Sequence, residues 1–119
     1  MVKSSARVWA LAGIALTLAA CSTALDTAAT PESEDARYAT SPANIASLTD
    51  VVRSSPNDPQ AYNMRGTVFG EAGRYTEALA DCNKAIAIDP KYAQAYANRG
   101  LVETKTGKLD LALADYNKS

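Results

Sequence analysis

Moved along by 34 residues, the second half of this chain falls onto itself, and few folds can accommodate that. Pro56 meets Pro90, Gln60-Ala61-Tyr62 meets Gln94-Ala95-Tyr96, and Arg65-Gly66 meets Arg99-Gly100. Further on, Gly73 meets Gly107, Ala78-Leu79-Ala80-Asp81 meets Ala112-Leu113-Ala114-Asp115, and Asn83-Lys84 meets Asn117-Lys118. Matches this dense at one fixed offset define a repeated supersecondary unit. Such a unit cannot bury its apolar face alone and must stack on its neighbours.

Each unit reads as two helices. Asp58 can cap a helix that has Pro59 at its first position, where the missing N–H does no harm, and that helix is expected to end near Ala72, before Gly73. A second helix is expected from about Tyr75, with Ala78, Leu79, Cys82, Ala85 and Ile86 forming one apolar stripe, closed by Asp89-Pro90. The next unit repeats this over about Ala93 to Thr106 and from Leu109 to the last residue, with Gly107 between the helices. Upstream, Ser41 as cap, Pro42 at the first helical position and the stripe Ile45, Leu48, Val51, Val52 predict a cap helix over 41–55.

The pattern over 56–119 resembles the tetratricopeptide repeat, a 34-residue helix-turn-helix unit that stacks into a right-handed superhelix. Tyr62 and Tyr96 take its early aromatic position, Gly66 and Gly100 its small residue at the helix crossing, and Ala78 and Ala112 the facing alanine. Cys82 and Tyr116 take the bulky position after it, Ala85 the next small one, and Pro90 the closing proline. The resemblance implies an all-α solenoid of about two repeats, the second incomplete. Two departures stand out. Glu103 occupies the place of Phe69, which implies looser packing in the second unit, and Arg65 and Arg99 replace a frequent leucine.

Each of those arginines is followed sixteen residues later by an aspartate, a spacing that reaches from the first helix of a unit to the second. Ion pairs Arg65–Asp81 and Arg99–Asp115 are therefore expected, worth about 1 kcal/mol or less if partly exposed.

Composition narrows the chemistry. The chain has no histidine, so the usual general base and commonest metal ligand are missing. Gly66, Gly70 and Gly73 do not have phosphate-loop spacing, and no lysine follows them. The basic residues are scattered among acids with no basic block, so no nucleic-acid partner is expected. Neither a metal, a cofactor nor a catalytic constellation is predicted, and the acidic run Glu32, Glu34, Asp35 reads as solvated. Cys82 reads as a packing residue, since Tyr116 is its counterpart.

Residues 1–20 follow the order of a targeting signal: Lys3 and Arg7, an uncharged apolar stretch from Val8, then small residues. That stretch, Val8 to Ala20, is shorter than the roughly 20 residues a spanning helix needs. Its end, Leu18-Ala19-Ala20-Cys21, resembles the lipobox of bacterial lipoproteins. The resemblance implies cleavage before Cys21, a diacylglyceryl thioether on its thiol and an acylated amine, palmitate being one such chain; two or more chains anchor stably. Cleavage leaves ten basic residues against thirteen acidic ones, a net charge of about −3. Ser22 follows where some bacteria use aspartate for inner-membrane retention, which favours an outer-membrane lipoprotein facing the periplasm. Residues 21–40 then read as a lipidated cysteine and a flexible tether with a typical reach of about 25 Å.

What remains for function is a surface. In tetratricopeptide arrays the first helices of successive units line a concave face that takes extended peptides or helices. By position this places Gln60, Asn63, Met64 and Thr67 of the first unit, and Gln94, Ala97, Asn98 and Leu101 of the second, against a protein partner. The clamp of lysines and asparagines that some relatives use for a terminal carboxylate is not matched, because Asn63 stands where its first lysine belongs. The expectation is a membrane-anchored adaptor in the cell envelope. The alternative is the N-terminal interaction part of a longer envelope enzyme whose catalytic part follows Ser119; the missing closing proline of the second repeat and the want of a third unit point to a longer protein.

Overall fold

Six helices are present: α1 (Glu34–Ala39), α2 (Pro42–Ser54), α3 (Pro59–Glu71), α4 (Tyr75–Ile88), α5 (Ala93–Lys105) and α6 (Leu109–Tyr116). The structure, a computed structural model, describes residues 33–119, so the targeting segment and Cys21 lie outside the described residues. No strand occurs among the described residues.

Local chemistry sets the boundaries. The Ser41 hydroxyl accepts from the Asn44 N–H at 3.2 Å and the Asp58 carboxylate from the Gln60 N–H at 2.9 Å, with Pro42 and Pro59 opening the helices behind them. At the other end, α3 and α5 close alike. Gly73 and Gly107 adopt φ of 75° and 79°, which an L side chain resists. The next amide reaches back over the turn, Arg74 N–H to the Phe69 carbonyl and Lys108 N–H to the Glu103 carbonyl, each at 2.8 Å. With the Gly73 to Gly70 and Gly107 to Thr104 bonds, this is a Schellman closure in both units. The tyrosine at the head of each unit ties it to its predecessor, since Tyr62 donates to the Pro56 carbonyl and Tyr96 to the Pro90 carbonyl.

Within a unit the two helices cross on small residues. A Cβ placed on Gly66 would stand 3.1 Å from Asp81 Cβ and 3.3 Å from the Ala78 carbonyl oxygen, and one on Gly100 3.2 Å from the Ala112 carbonyl oxygen. Only glycine allows axes this close. The core is accordingly built of Ala61, Ala78, Cys82, Ala85, Ala95 and Ala112, with Leu48, Val52, Phe69, Tyr96 and Val102 as its larger members.

Two expectations need correction. The segment 33–40, assigned to a structureless tether, carries α1: Ser33 caps it, Glu34 and Asp35 sit in its first turn, and Arg37 in its last, all favourable to the helix dipole. None of its residues is buried, but Asn44 donates to the Ala39 carbonyl at 2.6 Å and so joins its end to α2. The last helix, expected to reach the final residue, stops at Tyr116 and continues as a turn.

Candidate functional site: the concave groove

α3 and α5 lie side by side, with α2 flanking α3, and their shared face forms two adjoining hollows of about 380 and 370 Å³. The first is lined by Asn44, Leu48, Gln60, Asn63, Met64, Thr67, Val68, Tyr92 and Gln94. The second is lined by Gly66, Thr67, Gly70, Glu71, Asn98, Leu101, Val102 and Lys105. Thr67 belongs to both and joins them into one groove.

Seven of the eight residues expected on this face line the groove. Gln60, Gln94, Met64 and Leu101 are exposed, the last two by 44% and 50%, while Thr67 and Asn98 are half-buried. Ala97 lines neither hollow. Asn63 differs in setting from what position implied, being only 5% exposed. The reason is a polar tie between units: Asn98 Nδ2 donates to Asn63 Oδ1 at 2.8 Å and to Thr67 Oγ1 at 2.9 Å, while Thr67 donates to the Asn63 carbonyl at 2.9 Å. Both Asn98 donors are thereby used, and its Oδ1 has no partner among the described residues, which leaves an acceptor for a ligand N–H.

Several lining residues escaped the sequence reading. Glu71 and Lys105 stand one helical turn beyond Thr67 and Leu101, so stepping by four along each first helix would have found them. Asn44 and Leu48 come from α2, whose contribution depends on how the cap helix leans on α3. Lys105 is the cation lining these hollows among the described residues.

Behind the groove, both arginines reach their aspartates. Arg65 holds Asp81 through two bonds of 2.7 and 2.8 Å, and Arg99 holds Asp115 through two of 2.5 and 2.7 Å. The setting is drier than the partly exposed one expected, with side-chain exposures of 18% and 7% in the first pair, because the glycine crossing closes the helices over it. The hydrogen bond to the aspartate raises each arginine above its ordinary value, against the opposing effect of burial. A spare arginine nitrogen reaches the preceding helix, Arg65 Nη1 to Thr49 Oγ1 at 3.4 Å and Arg99 Nη1 to Asn83 Oδ1 at 2.7 Å.

Cys82 is fully buried, and burial, followed by the charge of Asp81, pushes its thiol up to about 11. That is the setting of an inert packing thiol rather than a nucleophile. Glu103 is the anomaly. It is buried, its Oε2 has no hydrogen-bond partner among the described residues, and burial followed by the nearby Asp115 charge raises its carboxyl above the usual range.

Comparison with known proteins agrees with this geometry. Two tetratricopeptide-repeat profiles match, one over residues 59–92 and the other over 82–114. Among solved structures, the second TPR of Spaghetti (RPAP3), bound to the HSP90 peptide SRMEEVD, is similar at 30% identity and a TM-score of 0.60. The match covers 62% of this chain and 68% of that one. No curated protein matches. The 34-residue frame, the glycine-on-alanine crossings, the profile matches and this neighbour together establish that the chain belongs to the tetratricopeptide-repeat family.

Proposed function

We propose that this protein is a non-catalytic adaptor, held in the bacterial cell envelope by lipid on Cys21, whose concave groove receives an extended segment of a partner protein. Tetratricopeptide repeats are protein-interaction modules, and the similar structure named above holds a peptide. The observation that carries the reading for this chain is the groove itself, with amides from three helices interleaved with Met64, Leu101 and Val102. Such a lining offers hydrogen bonds to a peptide backbone and apolar seats to its side chains. The neighbour's peptide carries two glutamates and a terminal aspartate; here Lys105 lies at the far end of the groove and the first hollow is neutral. An internal, uncharged stretch of a partner suits that lining better than an acidic chain end.

Leu101→Arg and Met64→Arg, each placing charge at an exposed position of the groove, are expected to abolish co-purification of the partner while leaving the melting temperature within about 2 °C of wild type. Partner retention in both variants rejects the groove as the binding site.

The anchor rests on Leu18-Ala19-Ala20-Cys21 and on Ser22 after it, which suit an outer-membrane lipoprotein facing the periplasm. Cys21→Ser is expected to abolish incorporation of labelled palmitate and release the protein from membranes. Undiminished labelling in that variant rejects lipidation at Cys21.

A further inference from the structure

The two hollows of the groove differ in what they ask of an occupant. The first holds no charged residue. Gln60 and Gln94 are exposed in it, and their side chains make no hydrogen bond among the described residues, so each offers a donor and an acceptor. Leu48, Met64 and Tyr92 add apolar surface to the same hollow. An amide side chain suits this lining. It meets donor and acceptor at once, and unlike a carboxylate or an ammonium it brings no charge to be desolvated without a counter-ion.

The second hollow is walled mainly by apolar groups: Leu101, the buried Val102 and the glycines at 66 and 70. Glu71 and Lys105 line it too, and they form no ion pair with one another. An acidic anchor would meet Glu71 and a basic one Lys105, so a neutral apolar side chain is the occupant that neither opposes. α3 and α5, the first helices of successive units, form both walls, so the hollow is complete within the described residues.

The distance between the hollows sets the spacing of the two anchors. Along α3 the lining shifts by about four residues, or about 6 Å, and along α5 by about seven, or about 11 Å, at about 1.5 Å per residue. In an extended segment, side chains two apart face the same way at about 6.6 Å, those three apart face opposite ways, and those four apart lie about 13 Å from each other. A separation of two satisfies both the distance and the facing. We propose that the groove reads an extended segment of its partner in which an asparagine or glutamine and a large apolar residue stand two apart, the amide in the first hollow and the apolar side chain in the second. The assignment rests on the groove being the binding face and goes beyond it by naming what that face selects.

The test titrates the nitrogen-15-labelled full chain with serine-glycine peptides blocked at both ends, and reads Kd from the amide shifts. An extended segment can run either way, so Gln-Ser-Leu and Leu-Ser-Gln peptides are both used. The better of the two is expected to bind about fivefold tighter or more than the same peptide with its anchors three apart, with glutamate or lysine for glutamine, or with alanine for either anchor. Gln60→Ala with Gln94→Ala should erase the preference for glutamine and keep that for leucine, and Leu101→Ala should do the reverse. Absence of binding, equal affinity at both spacings, glutamate or lysine accepted as readily as glutamine, or preferences that survive their variants overturn the proposal. Binding that lacks these preferences yet disappears in Leu101→Arg and Met64→Arg overturns it and leaves the groove standing. Binding unchanged in those two variants rejects the groove as well.

Discussion

Removing one partner of the Arg65–Asp81 pair should separate a buried ion pair from a surface one. The pair is bidentate at 2.7 and 2.8 Å, and its aspartate side chain is 7% exposed against 18% for the arginine. An exposed pair is worth about 0.2–1 kcal/mol, whereas breaking a buried one costs about 3–5 kcal/mol because the survivor is left without compensation. The two survivors here differ. Arg65→Ala leaves a carboxylate under the helix crossing with no cation, and the expected loss is about 3 kcal/mol. Asp81→Ala leaves an arginine that still reaches water, still meets Thr49 at 3.4 Å and still lies 5.7 Å from the Phe69 ring centre, so about 2 kcal/mol is expected. The double variant should cost less than the two added together, with a coupling of about 2 kcal/mol. Urea unfolding followed by circular dichroism measures all three. Losses below about 0.5 kcal/mol with no coupling would refute the claim that the glycine crossing dries this pair.

Other expectations follow from the same packing. Glu103 has its folded-state value raised, so its contribution to stability is greatest below its unfolded value and is lost as pH rises through the raised one. Glu103→Gln should therefore stabilise the protein by about 1 kcal/mol at pH 7, an advantage that shrinks towards pH 4 in paired urea titrations. Gly66→Ala should destabilise by about 1–3 kcal/mol by forcing α3 from α4, since the new Cβ lies 3.1 Å from Asp81 Cβ; an unchanged melting temperature contradicts the close crossing. Gly73→Ala, where φ is 75° and the space is open, should cost about 1 kcal/mol through backbone strain alone. Cys82 should resist a thiol reagent at pH 8 in the native protein and react promptly in denaturant, as expected of a fully buried thiol raised to about 11.

The fold was largely legible because its determinants are local or strictly periodic. Asp58-Pro59, Gly73, Gly107 and the 34-residue frame place helix ends without any knowledge of packing, and a separation of sixteen residues between arginine and aspartate is fixed once two helices are antiparallel neighbours. The groove was legible by position but not by environment. Asn63 and Asn98 are 35 residues apart, and whether their amides meet depends on the rotation between units, which sequence spacing does not encode. The dryness of the ion pairs was missed for a related reason: the exposure of Asp81 depends on how closely Gly66 lets α4 approach. α1 was missed because six residues without an apolar stripe carry no periodic signal, and only the Ser33 cap and the order of charges mark it.

The groove as binding face is tested most directly by site-specific photo-cross-linking in the native host, with the probe at Met64 or Leu101 in the groove and at Ala80 on the exposed side of α4. The account predicts that both groove positions trap the same protein and that Ala80 does not. Equal trapping from all three positions, or trapping from Ala80 alone, would contradict it.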